Sequence, residues 1–197
     1  MIKLLAYLIQ SIFCYFSFLI ARIIGLKFSR KIFSGLFLLV GPFFRSKKII
    51  DKNLNIVFPM ESDAYKKKIS ENMWKNYGMT FIEYIFLNKF KRNNSHVEIE
   101  GIENLSSLSE GGNPVIFISG HFANFELMSM EITKRKIKLA TIYRPLNNFF
   151  LNPFMEYLRK KYICENQIQK GISGMKSLLK LFKNKTSIAL MIDQRVS

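Results

Sequence analysis

His121 and Glu126 are the residues of this chain whose types and spacing suit proton transfer. They lie in Ser119-Gly120-His121-Phe122-Ala123-Asn124-Phe125-Glu126, between an apolar run, Val115–Ile118, and an apolar-periodic segment, Leu127–Ile132. The run reads as a buried strand and the segment as a helix. On one continuous helix, residues five apart point about 140° from each other, so they would not meet. They meet if His121 sits in the loop and Glu126 in the first helical turn. Asn124 then stands at the N-cap, and Glu126 lies near the positive end of the helix dipole. A strand-to-helix turn is where open α/β sheets set reacting groups. His96, beside the polar run Asn93-Asn94-Ser95, lacks that setting and reads as a packed or surface histidine.

Two further polar clusters close apolar runs in the same manner. Tyr143-Arg144-Pro145 ends Lys138–Tyr143, and Asp193-Gln194 ends Ser187–Ile192. If these strands are parallel, a base, a permanent cation and a carboxylate share one carboxyl edge. The chemistry that fits is acyl transfer to a hydroxyl. His121 would take the acceptor's proton as the hydroxyl attacks a thioester carbonyl, then return a proton to the leaving thiol. Glu126 would fix the imidazole tautomer and stabilise the imidazolium. Arg144 offers a fork of donors for a phosphate or a developing oxyanion, and Asp193 supports either His121 or Arg144. The plainer alternatives are a structural salt bridge for Arg144, a loop cap for Asp193 and a cap for Asn124. A covalent route has less in its favour. Ser-Gly-His is no nucleophile elbow, and Cys164 has no histidine near it in sequence. There is no phosphate-binding glycine loop and no dinucleotide fingerprint; Gly111-Gly112 is a turn, so no cofactor is expected.

The elements that must position these residues follow from periodicity. Residues from Ala64 to Leu87 read as a helix, with Ile69, Met73, Tyr77, Phe81 and Ile85 in a stripe widened by Trp74, Ile82 and Phe86. Ser62 and Asp63 are its start signals, and Lys66 to Lys68 form a solvated first turn. A polar break, Asn88–Ser95, follows. Then strands and helices alternate: a strand at Val97–Ile99, a connector at Glu110–Pro114, the strand and helix around His121, and the strand Lys138–Tyr143. A helix at Asn152–Lys161, a helix at Ser173–Phe182 and the strand Ser187–Ile192 complete the series. This pattern predicts right-handed crossovers and a largely parallel sheet.

Ahead of that core, Leu4–Ala21 is apolar apart from Gln10, Ser11 and Ser17, near the ~18-residue lower limit for a membrane span. Arg22, Lys27, Arg30 and Lys31 follow it, placing the rest of the chain on the cytoplasmic side. No small-residue cleavage site follows, which predicts an uncleaved single-pass anchor. Ile32–Phe44 either lies in the interface or packs on the globular part; two amphipathic core helices are the alternative for both segments. The predicted organisation is therefore an anchor over 1–27, a helical interface region over 28–96 and an α/β core over 97–197. A net charge of +16, from 30 Lys+Arg against 14 Asp+Glu, favours anionic lipid or an acidic carrier protein as partner. Nucleic acid is disfavoured because the basic residues are scattered and no recognition motif accompanies them. The two cysteines, Cys14 and Cys164, suggest neither a disulfide framework nor a metal site.

Taken in order, Asn53-Leu54, Phe58-Pro59, His121–Glu126, Tyr143–Asn148, Lys170-Gly171-Ile172 and Asp193-Gln194 carry a resemblance. The chain resembles the late acyltransferases of lipid A biosynthesis, the membrane-anchored lauroyl/myristoyl transferases of Gram-negative bacteria. That resemblance implies a glycerolipid-acyltransferase-like α/β fold in which His121 and Glu126 form a His-x4-acid catalytic dyad. It puts Arg144 and Asp193 in the same cleft, with Tyr143 and Asn124 in the substrate-binding set. The implied donor is an acyl-acyl carrier protein, and the implied acceptor is a hydroxyacyl chain of a lipid A precursor at the inner membrane. The family commonly has Gly and Trp where this chain has Ala123 and Phe125. Its domain continues past the Asp-Gln motif, whereas this sequence stops at Ser197, so the resemblance implies a member lacking its C-terminal part. Another glycolipid or glycerolipid acceptor, or an inactive membrane-bound remnant, stays open.

Overall fold

The computed structural model describes residues 2–105 and 112–193. The chain forms two compact units, one of Met1–Cys14 with Leu87–Ser197 and one of Tyr15–Phe86. Helix α1, Ile2–Ile24, gives its first half to the former unit and its second half to the latter. Its burial pattern is inverted for a water-soluble helix. Ser11, Ser17 and Ala21 are buried beside Phe18, while Leu4, Leu5, Leu8, Ile9, Ile12, Phe13 and Leu19 face outward. Small and hydroxyl-bearing side chains on the packed side, with large apolar ones outside, suit a helix whose surroundings are themselves apolar.

The unit Tyr15–Phe86 is helical. α2 (Leu26–Val40) and α4 (Asp63–Glu83) pack together, with α3 (Lys47–Val57) between them in sequence. Gly78 makes the close crossing possible, since a Cβ there would collide with the Phe33 carbonyl oxygen. Phe81 packs against Phe18, Phe33 and Phe37. The second apolar stretch thus packs on protein through α2. The Ser62 side chain caps α4 by accepting from the Tyr65 N–H, as the start signals predict. The buried seam of α4 is Trp74, Gly78 and Ile82; Trp74 and Ile82 belong to the expected stripe, but Tyr77, also placed in it, faces out. Four-residue intervals fix the pitch of a stripe but leave its edge to whichever residue meets the partner helix.

The unit that carries the candidate site holds a four-stranded sheet. β1 (Ile116–Ser119), β2 (Leu139–Tyr143), β3 (Asn166–Gln169) and β4 (Ser187–Met191) are ordered β1-β4-β2-β3, every pairing parallel. The parallel sheet flanked by helices is the expected class. Its connecting helices are α6 (Glu126–Lys134), α7 (Asn152–Tyr162) and α8 (Ile172–Lys183). Leu178 of α8 closes the core over Ala140 and Ile188. Burying that leucine contributes about 2 kcal/mol.

Three sequence expectations are corrected here. Val97–Ile99 runs without strand pairing: three residues, with Glu98 at their centre, find no neighbour to complete a ladder. The break at Asn88–Ser95 begins late: α5 (Leu87–Arg92) continues the helix, and its Leu87 and Phe90 are among the most buried side chains. β3 went unread because its Asn-Gln-Ile-Gln carries no apolar run; as an edge strand it needs none. The Glu110–Pro114 connector and Gln194 fall wholly or partly outside the described residues.

Candidate active site

The parallel register positions the first pair. Ile116 lies opposite Ile188 and Ser119 opposite Met191, and two residues further along each chain stand His121 and Asp193. The ladder persists past the strand ends, with the Ile192 N–H donating to the Ser119 carbonyl at 3.0 Å. Asp193 then grips His121 twice. Its Oδ2 accepts from the His121 backbone N–H at 2.9 Å, and its Oδ1 lies 2.8 Å from Nδ1. The hydrogen bonds from the His121 backbone and ring hold the Asp193 carboxyl below its ordinary range. A carboxylate on Nδ1 selects the tautomer with the proton there, leaving Nε2 as the basic nitrogen.

The turn between β1 and α6 is shaped for this approach. A Cβ on Gly120 would stand 3.3 Å from Asp193 Cγ and 2.9 Å from the Phe122 ring, so the glycine admits the carboxylate. Ala123 sits at φ +44°, in the left-handed region that favours glycine. The Phe125 ring packs edge-on against the imidazole with centroids 4.6 Å apart. Helix α6 starts at Glu126, as the His-loop, Glu-helix expectation requires, but the residue ahead of it is Phe125, so Asn124 stands one position too early to cap it.

Glu126 meets a partner that the sequence reading did not foresee. It is buried, and its Oε1 accepts from Arg159 Nε of α7 at 2.7 Å. At the first position of α6, its side chain meets the neighbouring helix. The carboxylate on the imidazole is Asp193, which sequence reasoning left undecided between His121 and Arg144. Arg159 was not singled out, because nothing short of α6–α7 packing connects residues 33 apart.

Tyr143 and Arg144 enter from the end of β2. The Tyr143 hydroxyl donates to Glu156 Oε1 at 2.6 Å, and burial together with that carboxylate pushes the phenol above its ordinary value. Asn152 Nδ2 also donates to Glu156, while its Oδ1 accepts from the Leu146 N–H at 2.7 Å. The loop carrying Arg144 is therefore tied down on both sides of it, and the guanidinium itself is exposed at the cleft rim.

His121, Glu126, Tyr143, Arg144 and Arg159 line one open cleft of about 960 Å³ together with the apolar Ile142, Leu190, Met175 and Leu179. The lining combines ionisable and polar groups with aliphatic side chains, a mixture suited to an amphiphile with a reactive head and an apolar tail. Asn124 is not among the cleft-lining residues. Cys164 is buried with its thiol donating to the Leu139 carbonyl, and burial pushes its pKa up to about 11, the setting of a structural rather than a reactive thiol. Among the described residues no three His, Cys, Asp or Glu side chains gather as metal ligands would. His96 is packed on the Phe90 ring with Glu131 3.5 Å away, the bland role expected of it.

A parallel α/β sheet with an imidazole–carboxylate pair, a tethered arginine loop and a partly apolar cleft defines an α/β protein with a candidate acid–base site. Residues 2–197 match the profile of the bacterial lipid A biosynthesis acyltransferases, and the chain belongs to that family. It is 24% identical over 153 residues to the lipid A biosynthesis palmitoleoyltransferase of Escherichia coli (strain K12), covering 76% of this chain and 48% of that protein. The same identity and coverage hold for a lipid A biosynthesis acyltransferase of Shigella flexneri. The chain spans about half the length of these curated relatives.

Proposed function

We propose that this chain is an O-acyltransferase that moves a fatty acyl group from an acyl-acyl carrier protein to a hydroxyl of a lipid A precursor. The observation that carries the reading is the Asp193 carboxylate held 2.8 Å from Nδ1 of His121, which lines a cleft that also presents aliphatic side chains. The acceptor hydroxyl gives its proton to Nε2 as its oxygen attacks the thioester carbonyl. The carbonyl π electrons move to oxygen, where Arg144 offsets the new charge. Collapse of that intermediate breaks the C–S bond, and the imidazolium returns the proton to the departing thiolate. Asp193 orients the ring and stabilises its charged form, the service the sequence reading asked of Glu126. Glu126, in the lining of the same cleft, holds Arg159. The family membership and the relatives' names support lipid A as the acceptor class.

The location proposed with this activity is the inner membrane, with α1 as a single span and the cleft facing the cytoplasm. Ile2–Ile24 is long and apolar enough to cross a bilayer, and its large apolar residues face outward. The acidic donor protein and anionic lipid suit a net charge of +16. The test is transfer from lauroyl- and myristoyl-acyl carrier protein to a lipid A precursor in detergent micelles, with product followed by mass. His121→Ala should abolish transfer; a variant near the wild-type rate would refute the mechanism. Other glycerolipid acceptors run in parallel separate lipid A from the wider acceptor class.

A further inference from the structure

Asn148 is buried, although it lies in the polar loop after β2, and its side chain is shared between two elements. Its Nδ2 donates to the Tyr7 carbonyl of α1 at 2.8 Å, and its Oδ1 accepts from the Ser11 hydroxyl at 2.9 Å. The same Oδ1 accepts from the backbone N–H groups of Phe150 and Leu151 at 3.1 and 3.3 Å, shaping the entry to α7. The Tyr7 and Phe149 rings meet edge to face with centroids 6.3 Å apart. A helix whose outer side is mostly large and apolar has few polar handles; Gln10 and Ser11 are two, Gln10 Oε1 lying 3.5 Å from Asn148 Nδ2 and the Ser11 hydroxyl shared between the Tyr7 carbonyl and this asparagine.

We propose that Asn148 is a positioning residue that clamps the Arg144 loop to helix α1, setting the cleft at a fixed place relative to the apolar helix. The inference rests on the acyltransferase reading only for its kinetic consequence. If α1 spans the bilayer, the clamp holds Arg144 where a membrane-borne acceptor presents its head group. A soluble acyl donor reaches the same cleft without needing that register. An amide is required because the clamp uses a donor and an acceptor on one side chain. Asn148→Asp keeps the oxygen that orders Phe150 and Leu151 but sets a second oxygen against the Tyr7 carbonyl. It therefore separates the clamp from the loop cap.

The experiment has a protein-only arm and a kinetic arm, both on the purified chain in detergent micelles. In a Cys14→Ala background, Tyr7→Cys and Phe149→Cys are joined by a short thiol-to-thiol cross-linker. The cross-linking rate should fall about tenfold when Asn148→Asp is added, the scale of one lost buried hydrogen bond, and severalfold for Ser11→Ala. In the kinetic arm, Asn148→Asp should raise KM for the lipid acceptor by a similar factor and leave KM for the acyl-carrier donor unchanged. An unchanged cross-linking rate in both variants would overturn the clamp. So would a KM that rises equally for donor and acceptor. If the wild type shows no transfer, the function reading fails while the cross-linking arm still decides the clamp.

Discussion

His121 and its neighbours show how much of a site lives in single side chains. Exchanging Asp193 for Asn keeps the shape but removes the charge that selects the imidazole tautomer, and transfer should fall on the order of a hundredfold or more. Glu126→Gln should cost less, because Asp193 is the carboxylate bonded to Nδ1 and Glu126 Oε1 holds Arg159. Rates for the two variants side by side, under the assay proposed above, check that order, and a larger loss for Glu126→Gln would return the orienting role to it. Ala123 offers a stability test in the same turn. At φ +44° it holds a conformation that costs an alanine about 1–2 kcal/mol, so Ala123→Gly should raise stability by up to about 1 kcal/mol after glycine's extra chain entropy. Urea unfolding would show a higher midpoint at unchanged slope. The sequence marked both the histidine and this position; it could not say that the backbone there is left-handed.

Elements decide which of these residues meet. The strand-to-helix turn at His121 was legible because an apolar run, a polar loop and a periodic segment follow one another within twenty residues. The α4 seam was legible in pitch and in part of its face, through Trp74 and Ile82, while its exact edge, with Tyr77 outside, depends on where α2 crosses it. That crossing is testable. A methyl group at Gly78 would run into the Phe33 backbone, which cannot move as a flexible side chain would. Gly78→Ala should therefore destabilise the helical unit by about 2–3 kcal/mol, as overpacking does, despite alanine's higher helix propensity. Thermal unfolding followed by circular dichroism would show a lower midpoint; a raised midpoint would mean that the helices are not packed this closely. β3 marks the opposite limit. A polar edge strand leaves no periodic trace, and only pairing with β2 defines it.

Across the whole molecule, charge sets the response to pH. The carboxyls of Asp193, Glu131 and Glu156 all lie below their ordinary range in the folded state. For Asp193 the cause is the His121 hydrogen bonds, and for Glu156 chiefly the Tyr143 hydroxyl. For Glu131 burial works in the other direction and is overcome by Lys134 and Arg135. A depressed folded pKa gives stability that is present above the unfolded value, near pH 4, and lost as pH falls through the folded one. Tyr143 has the opposite sign: its raised pKa gives stability that is full below about pH 10 and lost as pH rises through the folded value. Stability measured against pH should thus form a plateau that falls at both the acid and the alkaline end, and Glu131→Gln should soften the acid edge. By itself the sequence determined the parallel α/β class, the apolar first helix and the strand ends where His121, Arg144 and Asp193 gather, because periodicity and strand-end position are local properties. The tertiary structure alone decided that Asp193 takes the imidazole, that Glu126 turns to Arg159 and that Asn148 reaches α1. Those partners lie 72, 33 and 137 residues apart, and only the β1–β4 register and helix packing bring them within bonding distance.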